Sequence, residues 1–233
     1  MAGPGEILCI VPARGGSKRF ARKNVALLGG RPLIAWTIAA ARDSGIFDRV
    51  WVSSDDAEIL DVAVAAGAVP LVRPAALAGD TATVAQVCAA AAKQFADDGA
   101  AYAAAYVLLP TSPLRSAASI RAAWARFADS DADALMSVQP LAHPPEWALA
   151  VEAGCVAPAD RERYETPRKL LPQRYRADGA HSIVRTEWLI AEQRLIGPRT
   201  LAFASPVEEA VDIDTPQDLA WAEFLLARRR ESV

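Results

Sequence analysis

The run Ile7-Leu8-Cys9-Ile10-Val11-Pro12-Ala13-Arg14-Gly15-Gly16-Ser17-Lys18-Arg19-Phe20-Ala21-Arg22-Lys23-Asn24 passes from an unbroken apolar stretch into a basic glycine loop. The apolar part, closed by Pro12, reads as a short strand buried on both faces. Downstream, Pro32 suits the first position of a helix over Leu33–Ser44, with Gly45 closing it. The loop thus joins a strand to a helix, and in an open α/β sheet ligands sit outside the carboxyl ends of the strands. Gly15 and Gly16 allow the backbone to approach an anion closely. Arg14, Lys18, Arg19, Arg22 and Lys23 place five cations within ten residues, enough positive charge for a triphosphate. Neither the Walker A spacing nor the GxGxxG dinucleotide pattern is present. Taken alone, the loop is also compatible with a solvated basic turn.

Outward from this loop the first 140 residues alternate between strand and helix patterns. Strands are expected over Arg49–Ser53, Ala68–Val72, Tyr106–Leu109 and Ala134–Val138. Helices are expected over Asp56–Ala66, over Ala82–Asp97 behind a Thr81 cap, and over Ser116–Asp129. This order predicts an α/β fold with a mainly parallel, Rossmann-like sheet and helices on both faces. After Pro140 the periodicity fades. Residues 141 to about 180 are rich in Pro, Arg and aromatics, and Trp147, Tyr164 and Tyr175 would be poor choices for a free tether. A helix-strand pattern returns from Ala180, and Thr215 suits the cap of a last helix reaching Arg228. The expected division is an α/β domain of 1–140 and 205–233, interrupted by an insertion over 141–204.

Bulk properties narrow the function. The chain has 233 residues, 52% hydrophobic and 23% charged, with a net charge of −3. That excludes a global basic field for nucleic acid or membrane, so any anion site must be local. Cys9, Cys88 and Cys155 follow no CxxC pattern, and apolar surroundings for the first two suit a reducing compartment. No run is apolar enough to span a bilayer, and the expected location is the cytoplasm. His143 and His181, with Cys155, make no zinc spacing. No GxSxG elbow accompanies His181-Ser182.

Two further segments carry chemistry. In Asp212-Ile213-Asp214, alternate residues of an extended segment point the same way, so both carboxylates can face one metal ion. Hard oxygens suit Mg²⁺. Capping of the last helix by Asp214 or Thr215 accounts for the same residues without a metal. The second segment is Arg73-Pro74 followed by Leu77-Ala-Gly-Asp80-Thr81-Ala82-Thr83. It is a loop in which Arg73 could meet a base edge and the Thr81–Thr83 backbone a base or ribose.

Together these segments resemble the acylneuraminate cytidylyltransferases, also called CMP-sialic acid synthetases. The similar parts are Ala13-Arg14-Gly-Gly-Ser17-Lys18 through Lys23-Asn24, Val52-Ser-Ser-Asp55, Arg73-Pro74, Leu77 to Thr83 and Pro110-Thr-Ser-Pro-Leu-Arg115. Pro167-Arg168, Leu171-Pro172-Gln173, Asp178-Gly-Ala180 and Asp212-Ile-Asp214-Thr215-Pro-Gln-Asp218 complete an ordered series across nearly the whole chain. The resemblance implies a GT-A-like nucleotidyltransferase fold and transfer of CMP from CTP to a nine-carbon α-keto acid sugar. It also implies Mg²⁺ and a homodimer in which the irregular region reaches the partner's active site. By matching position, Ala13, Arg14, Lys18, Lys23 and Asn24 would hold the phosphates and ribose of CTP, with Arg14, Lys18 and Asp214 in the chemistry. Arg73, Ala82 and Thr83 would hold the cytosine, and Asp212 and Asp214 the metal. Arg168 would bind the sugar carboxylate, with Leu109, Lys169 and His181 also on the acceptor side.

The departures from the family pattern cluster on that acceptor side. Leu109 and Lys169 each stand where a Gln is usual, His181-Ser182 stands where Ile-Tyr is usual, and His143-Pro-Pro-Glu146-Trp147 replaces a basic region. Polar groups that read a substrate discriminate strongly, so the acceptor is expected to differ. Legionaminic acid, pseudaminic acid or another acidic molecule are alternatives, as is a nucleotide-binding paralogue without turnover. A metal-bound hydroxide, Asp214 and a neutral Lys18 all remain candidates for the general base.

Overall fold

Strand β1 (Ile7–Pro12) is buried on both faces, and its alternation divides the core in two. Ile7, Cys9 and Val11 pack into one apolar cluster, while Leu8 and Ile10 pack into another on the opposite face. Each of the Ile, Leu and Val side chains contributes about 1.5–3 kcal/mol on burial. Described in the computed structural model are residues 7–16 and 19–231. The chain continues through a two-residue pair, β2 (Leu27–Leu28) and β3 (Arg31–Pro32), to α1 (Leu33–Ser44) and β4 (Val50–Ser54). Next come α2 (Ala57–Ala65), β5 (Val69–Val72), α3 (Val84–Asp97), β6 (Ala104–Val107), α4 (Ala117–Ala128) and β7 (Ala134–Pro140). A hairpin of β8 (Leu149–Glu152) and β9 (Cys155–Pro158) precedes β10 (Tyr175–Arg185), α5 (Thr186–Glu192), β11 (Thr200–Ala204) and α6 (Pro216–Glu231).

The main sheet has seven strands in the order β11-β7-β10-β6-β1-β4-β5. Every pairing is parallel except those of β10, which runs antiparallel to β6 and β7. The mainly parallel α/β fold is therefore as expected, with one reversed strand that periodicity does not reveal. Helices α1, α2 and α4 cover one face and α3 with α5 the other. The chain leaves β1 toward β4 and β5, then returns past it to β6. The carboxyl ends of β1 and β6 thus flank a topological switch point, where open α/β sheets place their ligand crevice.

Some boundaries shift for identifiable reasons. Thr83, not Thr81, caps α3, because Gln86 stands three residues after Thr83 and completes a reciprocal capping box. Pro32 precedes α1 rather than opening it. The fourth strand starts at Ala104, two residues before the expected Tyr106. The expected insertion over 141–204 is cut back as well. β10 and β11 are members of the main sheet and α5 packs on α3, which leaves 141–174 outside the sheet.

The segment 141–174 is tied internally. Trp147 Nε1 donates to the Thr166 carbonyl at 3.1 Å. The buried Glu146 carboxylate lies 3.6 Å from Arg163 and 3.9 Å from Arg174. Its β8–β9 hairpin leaves Leu149, Val151 and Val156 exposed.

Candidate active site

The first wall of the crevice comes from the loop after β1. Ala13, fully buried, donates its N–H to Ser53 at 2.9 Å, locking the loop to the end of β4. Asn24 Nδ2 donates to the Arg14 carbonyl at 2.9 Å and closes the loop on itself. Gly15 is required for a reason other than anion binding. A Cβ there would meet Asp56 Oδ2 at 2.6 Å, because Asp56 caps α2 directly behind it. Its N–H is already given to Asp55 Oδ1 at 3.2 Å. Lys18, expected to contact phosphate, lies outside the described residues, as does Ser17.

The loop cations face carboxylates across the crevice. Arg14 Nη1 lies 3.0 Å from Asp80 Oδ1. Lys23 Nζ lies 2.6 Å from Asp214 Oδ1, and Arg19 reaches Asp214 Oδ2 at 2.6 Å. Arg22 instead pairs with Glu58 on α2 and faces away from this group. Arg73 follows β5. It is buried, and its Nη2 donates to the Ser53 carbonyl at 2.8 Å while Nε has no hydrogen-bond partner among the described residues. Burial lowers its pKa, and the Asp55 carboxylate opposes that effect.

The second wall joins the Leu109–Ser112 turn, beyond β6, to the aspartate segment. Ile213 is fully buried with Leu28, Leu33, Leu114, Ala222 and Leu226. That anchor turns Asp212 and Asp214 together toward the crevice, as alternation requires. Capping of α6 falls to Thr215, whose Oγ1 accepts from Asp218 N at 3.3 Å, while the Asp218 carboxylate accepts the N–H groups of Asp214 and Thr215. The Asp214 side chain is therefore not the helix cap. Burial raises the pKa of Asp212, the Thr111 hydroxyl counters by hydrogen bonding it, and the like charge of Asp214 raises it further.

The resulting crevice measures about 580 Å³, and Arg14, Arg19, Lys23, Asn24, Arg73, Asp80, Ala82, Leu109, Thr111, Asp212 and Asp214 are among its lining residues. Most residues expected on the nucleotide side thus converge from segments up to two hundred positions apart. Thr83 is the α3 cap and is not among those lining residues. Sequence spacing assigns no role to Asp55, Asp80 and Thr111, although all three lie inside motifs that carry the resemblance. Arg115 was also missed. It is buried, its Nη2 donates to the Leu109 carbonyl at 2.7 Å, and burial lowers its pKa to about 10.

The acceptor-side expectations fare differently. Arg168 and Lys169 line a separate cavity of about 460 Å³ beside 141–174 and not the crevice. The Arg168 guanidinium donates to the Gln173 side chain at 3.1 Å and to the Leu141 and Ala142 carbonyls. His181 is a correction. It has no exposed surface, its Nδ1 bonds the Tyr106 hydroxyl at 2.7 Å, and its ring packs edge-on against Phe203. It belongs to the core and does not reach an acceptor in the crevice.

Burial, reinforced by the Arg115 charge, lowers the His181 pKa to about 3 from 6.5. Between those values the unfolded chain binds a proton that the folded chain refuses. Stability is then lost as pH falls through this window, by about 1.4 kcal/mol per pH unit. Urea unfolding at a series of pH values below 6.5 should show this slope, and His181→Gln should flatten it by one proton's worth. An unchanged slope in that variant contradicts the burial of a neutral imidazole.

Asp212 and Asp214 fit a magnesium ion. Among the described residues no cluster of three or more His, Cys, Asp or Glu could hold a metal. Two carboxylates at the edge of an anion crevice match an ion that keeps waters and takes further ligands from substrate phosphates.

An open α/β sheet with a cation- and carboxylate-lined crevice at its switch point offers a site for an anionic ligand. The cytidylyltransferase family model matches residues 8–187. A pseudaminic acid cytidylyltransferase of Campylobacter jejuni is 34% identical over 97% of this chain and 98% of its own. A CMP-N,N'-diacetyllegionaminic acid synthase of Legionella pneumophila is 33% identical, covering 98% and 99%. An N-acylneuraminate cytidylyltransferase of Streptococcus agalactiae is 30% identical over 91% of this chain and 51% of its own. The chain belongs to the cytidylyltransferase family and is a nucleotidyltransferase that uses CTP. Its fold is that of a CMP:2-keto-3-deoxy-manno-octonic acid synthetase solved with CTP, at a TM-score of 0.69 and 17% identity over 96% of this chain and 99% of that one.

Proposed function

We propose that this enzyme transfers CMP from CTP to the anomeric hydroxyl of a nine-carbon α-keto acid sugar, releasing pyrophosphate. One observation carries the reading: Arg14, Lys23, Arg73, Asp212 and Asp214 line one crevice. Relatives matched over nearly their full lengths, named for pseudaminic and legionaminic acids, support this acceptor class.

The chemistry follows from positioning and charge. Arg73 and the Ala82–Thr83 backbone hold the base. Arg14, Lys23 and Asn24, with Lys18, hold the phosphates. The acceptor hydroxyl loses its proton to solvent as its oxygen bonds to the α-phosphorus and the bond to the β-phosphate bridging oxygen breaks. Magnesium held by Asp212 and Asp214 would neutralise charge on the α-phosphate and lower the pKa of the attacking hydroxyl. Arg14 and Lys23 take up the charge that develops on the leaving pyrophosphate. An incoming triphosphate gives Arg19 and Lys23 a new anionic partner and frees the Asp214 carboxylate from them.

We infer a homodimer in which 141–174 reaches the partner's crevice. Support comes from the exposed Leu149, Val151 and Val156 and from Arg168 and Lys169 lining a cavity other than the crevice of their own chain. In this arrangement Arg168 and Lys169 meet the acceptor carboxylate in trans. The cytoplasm suits the enzyme. Cys9 and Cys88 are buried free thiols, with burial pushing the Cys88 pKa up to about 12, and no described helix is long and apolar enough to cross a membrane.

Leu109 offers the acceptor an apolar surface where a polar side chain would read a hydroxyl. Pyrophosphate release should therefore be faster with pseudaminic or legionaminic acid than with N-acetylneuraminic acid, by at least about 10²-fold in kcat/KM. Equal rates with all three acids contradict the discrimination assigned to Leu109, and no release with any of them contradicts the transfer itself.

A further inference from the structure

Leu109 follows β6 with its main chain pinned. The N–H of Leu108 donates to the Ile10 carbonyl at 3.0 Å. The Leu109 carbonyl accepts from Arg115 Nη2 at 2.7 Å, from the Ser112 N–H at 3.3 Å and from Thr37 Oγ1 at 3.4 Å. The Leu109 side chain is half-buried. It packs against the apolar cluster around Leu8 and Ile10 and also lines the crevice.

Against this side chain lies Gly179, in the irregular stretch of β10 between Ala177 and Ser182. Its φ of +75° is left-handed, a conformation glycine adopts without steric cost. The missing side chain matters as much. A Cβ at this position would stand 3.3 Å from Leu109 Cδ1 and 3.3 Å from Ser112 Oγ. Ordinary carbon contacts lie at about 3.5–4.0 Å, so a neighbour would have to give. Ser112 is fully buried, and its Oγ donates to the Asp178 carbonyl at 3.5 Å. The Gly179 main chain is held on its other side, where the Ala180 N–H donates to the Asp178 carboxylate at 2.9 Å. With both main chains held and the core close-packed, the Leu109 side chain is left to yield, and its open side is the crevice.

We propose that Gly179 is a positioning residue for the acceptor: without a Cβ, it lets the Leu109 side chain lie back and so sets the apolar wall that the acceptor meets. The proposal rests on Leu109 facing the acceptor, and the test separates the two claims.

Pyrophosphate release from the full chain at saturating CTP and Mg²⁺, with pseudaminic acid as the probe, gives kcat/KM for the acceptor. Rates are expressed per CTP site counted by calorimetry without acceptor, so a partly unfolded sample does not mimic a loss. Gly179→Ala should lower the acceptor kcat/KM by about 10-fold, the effect of one misplaced methyl group in an apolar pocket. The Kd for CTP should stay within about 2-fold of the parent. Leu109→Ala removes the methyl group that the new Cβ would meet, so adding Gly179→Ala to it should change the acceptor kcat/KM by no more than about 2-fold. Gly179→Asn carries the same Cβ and tolerates a positive φ better, so it repeats the cycle if Gly179→Ala fails to fold. Leu109→Ala alone is the control, and it should change the preference for pseudaminic over N-acetylneuraminic acid by about 10-fold.

An equal loss from Gly179→Ala in both Leu109 backgrounds is backbone strain and overturns the positioning role alone. A parental acceptor kcat/KM in Gly179→Ala does the same, as does a matching loss of CTP affinity. A parental preference between the two acids in Leu109→Ala overturns the acceptor-side reading of Leu109 and the positioning role with it. No release by the parent overturns the transfer on which both rest.

Discussion

Asp214→Ala is expected to lower kcat/KM for CTP by on the order of 10³-fold or more, with the fold intact. The magnitude reflects several kcal/mol of transition-state stabilisation lost with one of the two carboxylates proposed to hold the metal, at about 1.4 kcal/mol per tenfold. The fold should persist because Asp214 neither caps α6 nor enters the core; Thr215 and Asp218 form the cap, and Ile213 is the buried anchor. A second consequence separates metal from nucleotide. Asp214 now pairs with Arg19 and Lys23. Its removal leaves both cations for the triphosphate, so metal-free CTP should bind at least as well as to the parent. Calorimetry without metal and steady-state kinetics with it check the pair of statements. Parental rates in Mg²⁺ contradict the metal assignment.

Arg14→Ala is expected to cost about 10²–10³-fold in kcat/KM for CTP, the range for removing one preorganised donor from a developing anion. Arg14 lines the crevice and its guanidinium lies 3.0 Å from the Asp80 carboxylate on the opposite loop. Loss should appear in kcat as well as KM, because charge on the pyrophosphate grows as it leaves. Asp80→Asn offers the converse: Arg14 keeps its place in the loop without the competing carboxylate, and KM for CTP should not rise. A kcat/KM for CTP that is parental in Arg14→Ala removes this residue from the triphosphate site.

Much of this was legible in the residues. α1 spans Leu33–Ser44 as its pattern and Gly45 cap predict. Burial of Ile213 produces the carboxylate geometry that the Asp-Ile-Asp alternation implies. The basic loop and the distant Arg73 and aspartates do meet in one crevice. Long-range pairing stayed hidden. β10 enters the sheet antiparallel between β6 and β7, and nothing in its local pattern marks direction. β6 begins at Ala104 because small side chains fit between two apolar clusters, although alanine carries little strand preference. His181 read as an acceptor residue by position in the motif, yet the irregular pairing between Ala177 and Ser182 turns it into the core. The counter-ions Asp55 and Asp80 were missed because sequence spacing gives no measure of which carboxylate crosses a crevice.

The most direct measurement follows the label from CTP. With Mg²⁺ and pseudaminic or legionaminic acid, α-³²P-labelled CTP should yield labelled CMP-sugar, while γ-³²P-labelled CTP should yield labelled pyrophosphate in equal amount. Asp214→Ala should yield neither. Label from the γ-phosphate in the sugar product, or no labelled sugar from either nucleotide with every nine-carbon α-keto acid offered, would contradict cytidylyl transfer as the reaction of this crevice.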